Sequence, residues 1–189
     1  MTEDPSEDHD ARARTNEAQA GDDSGDEGAD TPLTHTTADG SVQLVDVGAK
    51  PDTRRRAVAA GRIRLRPETV EAIRADELEK GDVLATARIG AIQAVKHTWE
   101  SIPMCHQIPI TNVETTIDIE PTSLRLEVAV ETTGKTGCEM EALEGVTTGL
   151  NVVWDMVKAA EKDADGAYPQ TRIEDVHVRA KHTGDTTGE

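Results

Sequence analysis

The chain has no phenylalanine, and its 189 residues include only three aromatics, Trp99, Trp154 and Tyr168. A surface that grips single-stranded nucleic acid needs several aromatic faces for stacking, so that class is set aside. Cations are also scarce: 20 Lys plus Arg stand against 37 Asp plus Glu, a formal net charge of −17. Phosphate backbones are held by an excess of cations, which excludes a broadly basic nucleic-acid-binding face. No apolar run approaches the ~18 residues of a membrane span. The first residues lack the charged-then-apolar pattern of a leader. The expectation is a cytoplasmic chain with no membrane partner. The two cysteines, Cys105 and Cys138, cannot build a disulfide framework and read as free thiols in a reducing compartment.

What charge there is falls unevenly. Residues 1–40 hold twelve acids and two arginines, a net of −10, and the remaining chain carries 25 acids and 18 bases, a net of −7. Those forty residues contain no Val, Ile or aromatic and a single Leu, Leu33. They cannot bury enough apolar surface to offset the entropy of ordering. We read 1–40 as a disordered acidic tail and 41–189 as one domain. The acidic, lysine-poor composition suits a protein kept soluble in a high-salt cytoplasm.

Within the domain, Val42, Leu44, Val45 and Val47 form a short apolar segment ended by Gly48-Ala49-Lys50-Pro51. Gly61 to Arg66 alternates apolar and charged residues, the period of a half-buried strand. Pro67-Glu68 then opens a helix predicted to reach about Glu79. Lys80-Gly81-Asp82 breaks and caps, and a second helix is predicted from Val83 to about Trp99, apolar nearly all round and so buried on most sides. Residues 101–110 read as a loop or an extended connector around Pro103 and Pro109. Val113 to Ile119 and Leu124 to Val130 alternate as two strands joined at Pro121-Thr122-Ser123. A glycine-containing loop, 132–137, leads into a long helix from about Cys138 to Lys162. Val176, Val178 and Ala180 mark a last strand. This order predicts an α+β fold, an antiparallel or mixed sheet with helices packed on one face.

Gly134-Lys135-Thr136 sits between a strand and a helix, as a phosphate-binding P-loop does, but Ala129 occupies the place of its first glycine. Cys105, His106, Cys138 and nearby His97 supply metal-binding atoms without zinc-knuckle spacing. Glu139 and Glu141 lie in the first turn of the long helix, where carboxylates favour its dipole. Asp155 and Lys158 are one turn apart and can meet. Taken singly, each of these patterns also fits a bland structural role.

Together they are more specific. Lys80-Gly81-Asp82-Val83-Leu84, Lys96-His97-Thr98-Trp99, Met104-Cys105-His106, the run Thr133 to Leu143, and Trp154-Asp155-Met156-Val157-Lys158 resemble the cyclic pyranopterin monophosphate synthases, the molybdenum cofactor biosynthesis protein C family. The resemblance runs from about Val42 to Lys181. It implies a ferredoxin-like α+β fold, a homohexamer built as a trimer of dimers, and sites between subunits. It implies conversion of 3′,8-cyclo-7,8-dihydroguanosine 5′-triphosphate to cyclic pyranopterin monophosphate with release of diphosphate, a phosphorus–oxygen lyase step, with no metal and no organic cofactor. By the same resemblance Asp155, Lys80 and Lys158 are catalytic. Met104, Cys105, His106, Glu139, Met140 and Glu141 would bind the base and sugar. Arg55, Lys96 and Lys181 would hold phosphates, with Lys135 a weaker extra. Crowded, desolvated lysines with lowered pKa values would then move protons, inside one small cationic pocket. The chain departs from the family pattern at Asp185, where a second lysine is common. Two other classes stay open: a zinc-dependent pterin cyclohydrolase on Cys105, His106 and Cys138, and a non-catalytic binding member of the fold.

Overall fold

The structure, a computed structural model, describes residues 40–184. The acidic segment assigned to 1–40 lies, Gly40 apart, outside the described residues, as does Asp185. In order come β1 (Thr53–Arg64), α1 (Pro67–Arg74), α2 (Val83–Ser101), β2 (Ile110–Glu120), β3 (Ser123–Gly134), α3 (Glu139–Glu161) and β4 (Arg172–Gly184). The expected order of elements is met and the class is α+β. The sheet runs β2-β3-β1-β4, and every neighbouring pair is antiparallel, so the mixed alternative falls away. β1 and β2 point the same way with β3 between them, a split β–α–β arrangement.

Side-chain alternation sorts the two faces of the sheet. Ala57, Ala59 and Ile63 of β1 join Leu124, Leu126, Val128 and Val130 of β3 in the core under the helices. Arg54, Arg56, Arg62 and Arg64 point the other way, each against a carboxylate, as in Arg54–Glu131 at 3.0 Å and Arg64–Glu174 at 3.3 Å. β1 therefore starts eight residues before the predicted Gly61. Its Ala57–Ala60 run is buried on both faces and hides the alternation. β3 likewise continues through Thr132–Gly134, where a loop was expected, because those residues pair with Thr53–Arg55.

α1 stops at Arg74 rather than near Glu79. Ala75 closes it with its N–H on Glu71, and Asp76 turns left-handed at φ 55°. α2 starts where expected: the Asp82 carboxylate accepts from the Ala85 N–H at 2.9 Å, satisfying an orphan donor of the first turn. Its burial differs from expectation. Only Val83, Ala87, Ala91, Val95 and Thr98 are buried, while Ile89 is 66% exposed. The buried stripe packs on Gly145 and Gly149 of α3. A Cβ at Gly149 would stand 2.4 Å from a Leu126 methyl and 3.2 Å from the Ala91 Cβ. Only glycine lets α3 sit this close to both α2 and the sheet. Val95 packs at Gly145, Ala87 and Ala91 at Gly149, and Val152 at Gly90. The helices are thus antiparallel, with the start of α2 beside the end of α3.

Candidate active site

The predicted site residues fall into two groups, one at each end of α3. At its C-terminal end, Asp155 projects from the last two turns. Lys158, one turn on, donates to Asp155 Oδ1 at 2.7 Å. Lys80 arrives from the turn before α2 and donates to Asp155 Oδ2 at 3.0 Å and to its backbone oxygen at 2.7 Å. The antiparallel packing of α2 on α3 places Lys80 there, because Asp82 fixes the first turn of α2 just beyond it. The Lys158 ammonium first, then Lys80, hold the Asp155 carboxyl below the usual range. Asp155 in return pushes Lys158 up. All three are exposed, Lys80 at 43% and Lys158 at 47% of their side chains. The desolvation expected of the two lysines is thus not met in the single chain, and Lys158 is shifted up where a fall was expected. The carboxylate keeps Lys158 charged, and solvent reaches it.

At the N-terminal end a cavity of about 440 Å³ opens. Met104, Cys105 and His106 line one wall, Glu139, Met140 and Glu141 another, and Val45, Val47 and Lys50 a third. All six predicted base- and sugar-binding residues therefore face one space. Glu141 lies four and eight residues before Gly145 and Gly149, on the stripe turned toward α2, and is only 4% exposed. Burial lifts its carboxyl to about 7, and the Glu139 charge adds to the rise. Glu139 has the opposite fate. Burial would raise it, but the Lys181 ammonium, a helix N–H and Arg55 together hold it below the usual range. Lys181 Nζ meets Glu139 Oε1 at 2.5 Å, and Arg55 Nε donates to the Gly134 carbonyl at 3.3 Å. The Glu139 carboxylate folds back over Gly137, where a Cβ would lie 1.8 Å from its Oε2, so Gly137 is required for that pose. Burial first, then Glu141 and Glu144, push the Cys105 thiol up, which keeps it protonated and unreactive.

Sixteen residues of helix separate Glu139 from Asp155, an axial distance of about 24 Å at 1.5 Å per residue. The structure joins Arg55 with Lys181 and joins Lys80 with Lys158, but it does not bring those pairs together. Lys96 is exposed on α2, one residue past Val95 at the level of Gly145. The single cationic pocket expected from sequence is therefore not formed within one chain. Lys135 is turned to the N-terminal arm, donating to the Lys50 carbonyl at 2.6 Å. The zinc alternative loses a ligand. Cys138 is buried, its thiol donates to the Val130 carbonyl at 3.3 Å, and burial pushes it to about 11. Among the described residues no three His, Cys, Asp or Glu side chains converge as metal ligands.

Sequence reasoning missed Glu161 and the Trp154–Tyr168 pair. Glu161 is 2% exposed; it accepts from the Thr171 hydroxyl at 2.5 Å and from the Arg66 N–H at 3.1 Å. The signal was present: Glu161 continues the apolar stripe Leu150, Val153, Val157, and a carboxylate on such a stripe needs partners.

Residues 44–184 match the MoaC family model. A probable cyclic pyranopterin monophosphate synthase of Halobacterium salinarum is 73% identical over 155 residues, covering 82% of this chain and 95% of that protein. A protein of the same name from Natronomonas pharaonis is 72% identical over 152 residues, 80% of this chain and 95% of its own. A Methanothermobacter thermautotrophicus protein, 51% identical over 149 residues, 79% of this chain and 93% of its own, is called a probable cyclic pyranopterin monophosphate synthase accessory protein.

Proposed function

The chain belongs to the MoaC family, and on that premise we propose that it converts 3′,8-cyclo-7,8-dihydroguanosine 5′-triphosphate to cyclic pyranopterin monophosphate and diphosphate. It is an enzyme of molybdenum cofactor biosynthesis acting on a small molecule. The proposed class is a phosphorus–oxygen lyase, carried by the stretch 41–189 as one ferredoxin-like catalytic domain that needs no metal or organic cofactor.

The observation that carries this reading is the meeting of Lys80 and Lys158 on one carboxylate, Asp155. Two ammonium groups fixed by a shared anion suit a reaction that moves protons on a ring and then expels diphosphate. Lys158, kept charged, donates a proton or stabilises developing negative charge. Asp155 orients both lysines. The cavity at the other end suits a heterocycle: His106 offers a ring nitrogen, and Glu141 presents a carboxyl able to donate or accept near neutral pH. Arg55, Lys96 and Lys181 are the proposed phosphate ligands, with charge-assisted bonds. Lys181 exchanges Glu139 for phosphate as substrate enters.

The separation of the two groups favours a site completed by a second copy, which brings the end of its α3 to the start of its neighbour's. A homohexamer, a trimer of dimers with sites between subunits, is the proposed assembly. Closure of such an interface over Lys80 and Lys158 removes the solvent that reaches them in one chain.

The test is turnover. Full-length protein in molar salt, given the cyclised nucleotide, should yield diphosphate and the pyranopterin product. Asp155→Ala should abolish both. No product from the wild type at any salt concentration sinks the proposal. The accessory name of the Methanothermobacter relative favours one rival, a non-catalytic partner; it predicts that Lys80→Ala, Asp155→Ala and Lys158→Ala all keep full function in cells.

A further inference from the structure

The N-terminal arm, residues 41–50, reaches the cavity without resting on the core. Val45 and Val47 line the cavity and are half-buried, while Val42 and Leu44 stay 73% and 45% exposed. Neither Val45 nor Val47 is among the hydrophobics packed on the core cluster. Val47 also borders a second hollow of about 240 Å³, together with Asp52, Ile108, Pro109 and Lys135. The two hollows share three wall residues, Val47, His106 and Thr136. They therefore adjoin, with an arm residue at the junction. A segment bordered by open space in this way has few buried apolar contacts to hold it, and such segments open readily.

Two bonds within the arm shape it without placing it. The Asp46 carboxylate accepts from the Gly48 N–H at 2.8 Å, and the Val47 carbonyl accepts from the Lys50 N–H at 3.0 Å. The tie from outside the arm is Lys135, in the link between β3 and α3. Its ammonium donates to the Lys50 carbonyl at 2.6 Å, across 85 residues of sequence, and meets the Asp52 carboxylate at 3.5 Å. The sheet register explains why these groups meet. Thr53, the first residue of β1, pairs with Gly134, the last of β3. One step further along the ladder, Asp52 falls opposite Lys135. The bond to Lys50 is charge-assisted, and it joins the arm to the link that leads into Glu139.

We propose that Lys135 is a positioning residue that pins residues 45–50 as a strap across the two adjoining hollows, so that the cyclised nucleotide is held in one groove. This rests on the reading of the cavity as the seat of the base and sugar. The Lys135 ammonium is committed to Lys50 and Asp52, so it acts through the arm and not on the phosphates. With the pin in place, Val45 and Val47 wall the groove and help close it to water. With the pin released, the strap lifts and substrate leaves before it reacts. The loss then falls on substrate binding rather than on the chemical step.

The experiment compares full-length wild type, Lys135→Met and Lys135→Arg in molar salt. Methionine keeps much of the stem and loses the donors; arginine can still donate to a carbonyl. Hydrogen exchange of the arm peptide, read by mass spectrometry on the free protein, reports the strap without turnover. Steady-state turnover of the cyclised nucleotide supplies KM and kcat. In Lys135→Met the arm amides should exchange about tenfold faster while the β3 and α3 peptides stay as in wild type. KM should rise about tenfold with kcat within about threefold. Lys135→Arg should restore slow exchange and most of the lost KM. A higher KM with unchanged arm exchange would make Lys135 a direct phosphate contact and overturns the proposal. Faster arm exchange with an unchanged KM overturns it as well, since the arm would then lie outside the substrate groove. So does faster exchange spread over β3 and α3, which would mean lost stability. Wild type without turnover instead overturns the reading of the site itself, whatever the arm does.

Discussion

The two ends of α3 hold polar groups in opposite settings. The N-terminal end has a cavity, a buried carboxyl near neutrality and a second carboxylate neutralised by Lys181 and Arg55. The C-terminal end has two ammoniums on one carboxylate and is open to water. One end encloses a space between buried and paired carboxyls; the other carries its charge in the open. In water an ion cluster of this kind has little power, because solvent screens it. The same cluster in an enclosed site is worth far more. Each end lacks what the other has, and a helix about 24 Å long between them stops one chain from combining them.

The largest effect should come from breaking each end separately and mixing the results. His106→Ala disables the sheltered end and Asp155→Ala the charged end. Each alone should lose about a hundred- to ten-thousandfold in kcat. Co-expressed, they should regain roughly a quarter of wild-type activity, since random assembly pairs an intact N-terminal end with an intact C-terminal end at that frequency. If every site lies within one chain, each chain keeps one defect and mixing restores nothing. Activity measured on co-purified assemblies bearing two different tags decides between the two.

Much of this was legible in the sequence. Pro67, Asp82 and the Pro121-Thr122 turn mark element ends through backbone chemistry that acts locally, and they fall where expected. Met104 to His106 and Glu139 to Glu141, the stretches that the resemblance singled out for substrate binding, line one cavity. What was hidden depends on partners distant in sequence. The start of β1 is concealed by Ala57–Ala60, small residues buried on both faces that show no alternation. The outer side of α2, with Ile89 and Trp99, reads as core by composition, yet among the described residues both stay exposed. Lys80 reaches Asp155 across 75 residues, a contact that periodicity does not reveal.

A medium effect should sharpen the contrast in protonation. Glu141 titrates near 7 in the fold and in the ordinary carboxylate range when unfolded. Between those values the native state holds a proton that the unfolded chain has lost. Stability contributed by this group is therefore complete at low pH and declines as pH rises toward 7 and beyond. Glu141→Gln cannot ionise. It should be more stable than wild type at pH 8.5, by between about 1 and 3 kcal/mol, with the gap shrinking toward pH 5. Thermal unfolding at constant salt across that range measures it. Parallel curves with a constant gap would mean that Glu141 is not held neutral by its surroundings.

The smallest effect belongs to the charged end and is informative for being small. Lys80 is 43% exposed and Asp155 is 60% exposed, so their ion pair gives up little solvation and gains little in return. Lys80→Ala should move the unfolding midpoint at pH 7 by no more than about 2 °C, although turnover is lost. The sign of the pH dependence is the reverse of that at Glu141. Asp155 is held below its usual range, so its contribution is present above the ordinary carboxylate pKa and vanishes as pH falls through the lowered value. The gap between Lys80→Ala and wild type should therefore close on acidification. A shift well beyond 2 °C, and dependent on protein concentration, would mean that Lys80 lies in the contact between copies rather than free in the single chain, and that the interface itself supplies the shelter the charged end lacks.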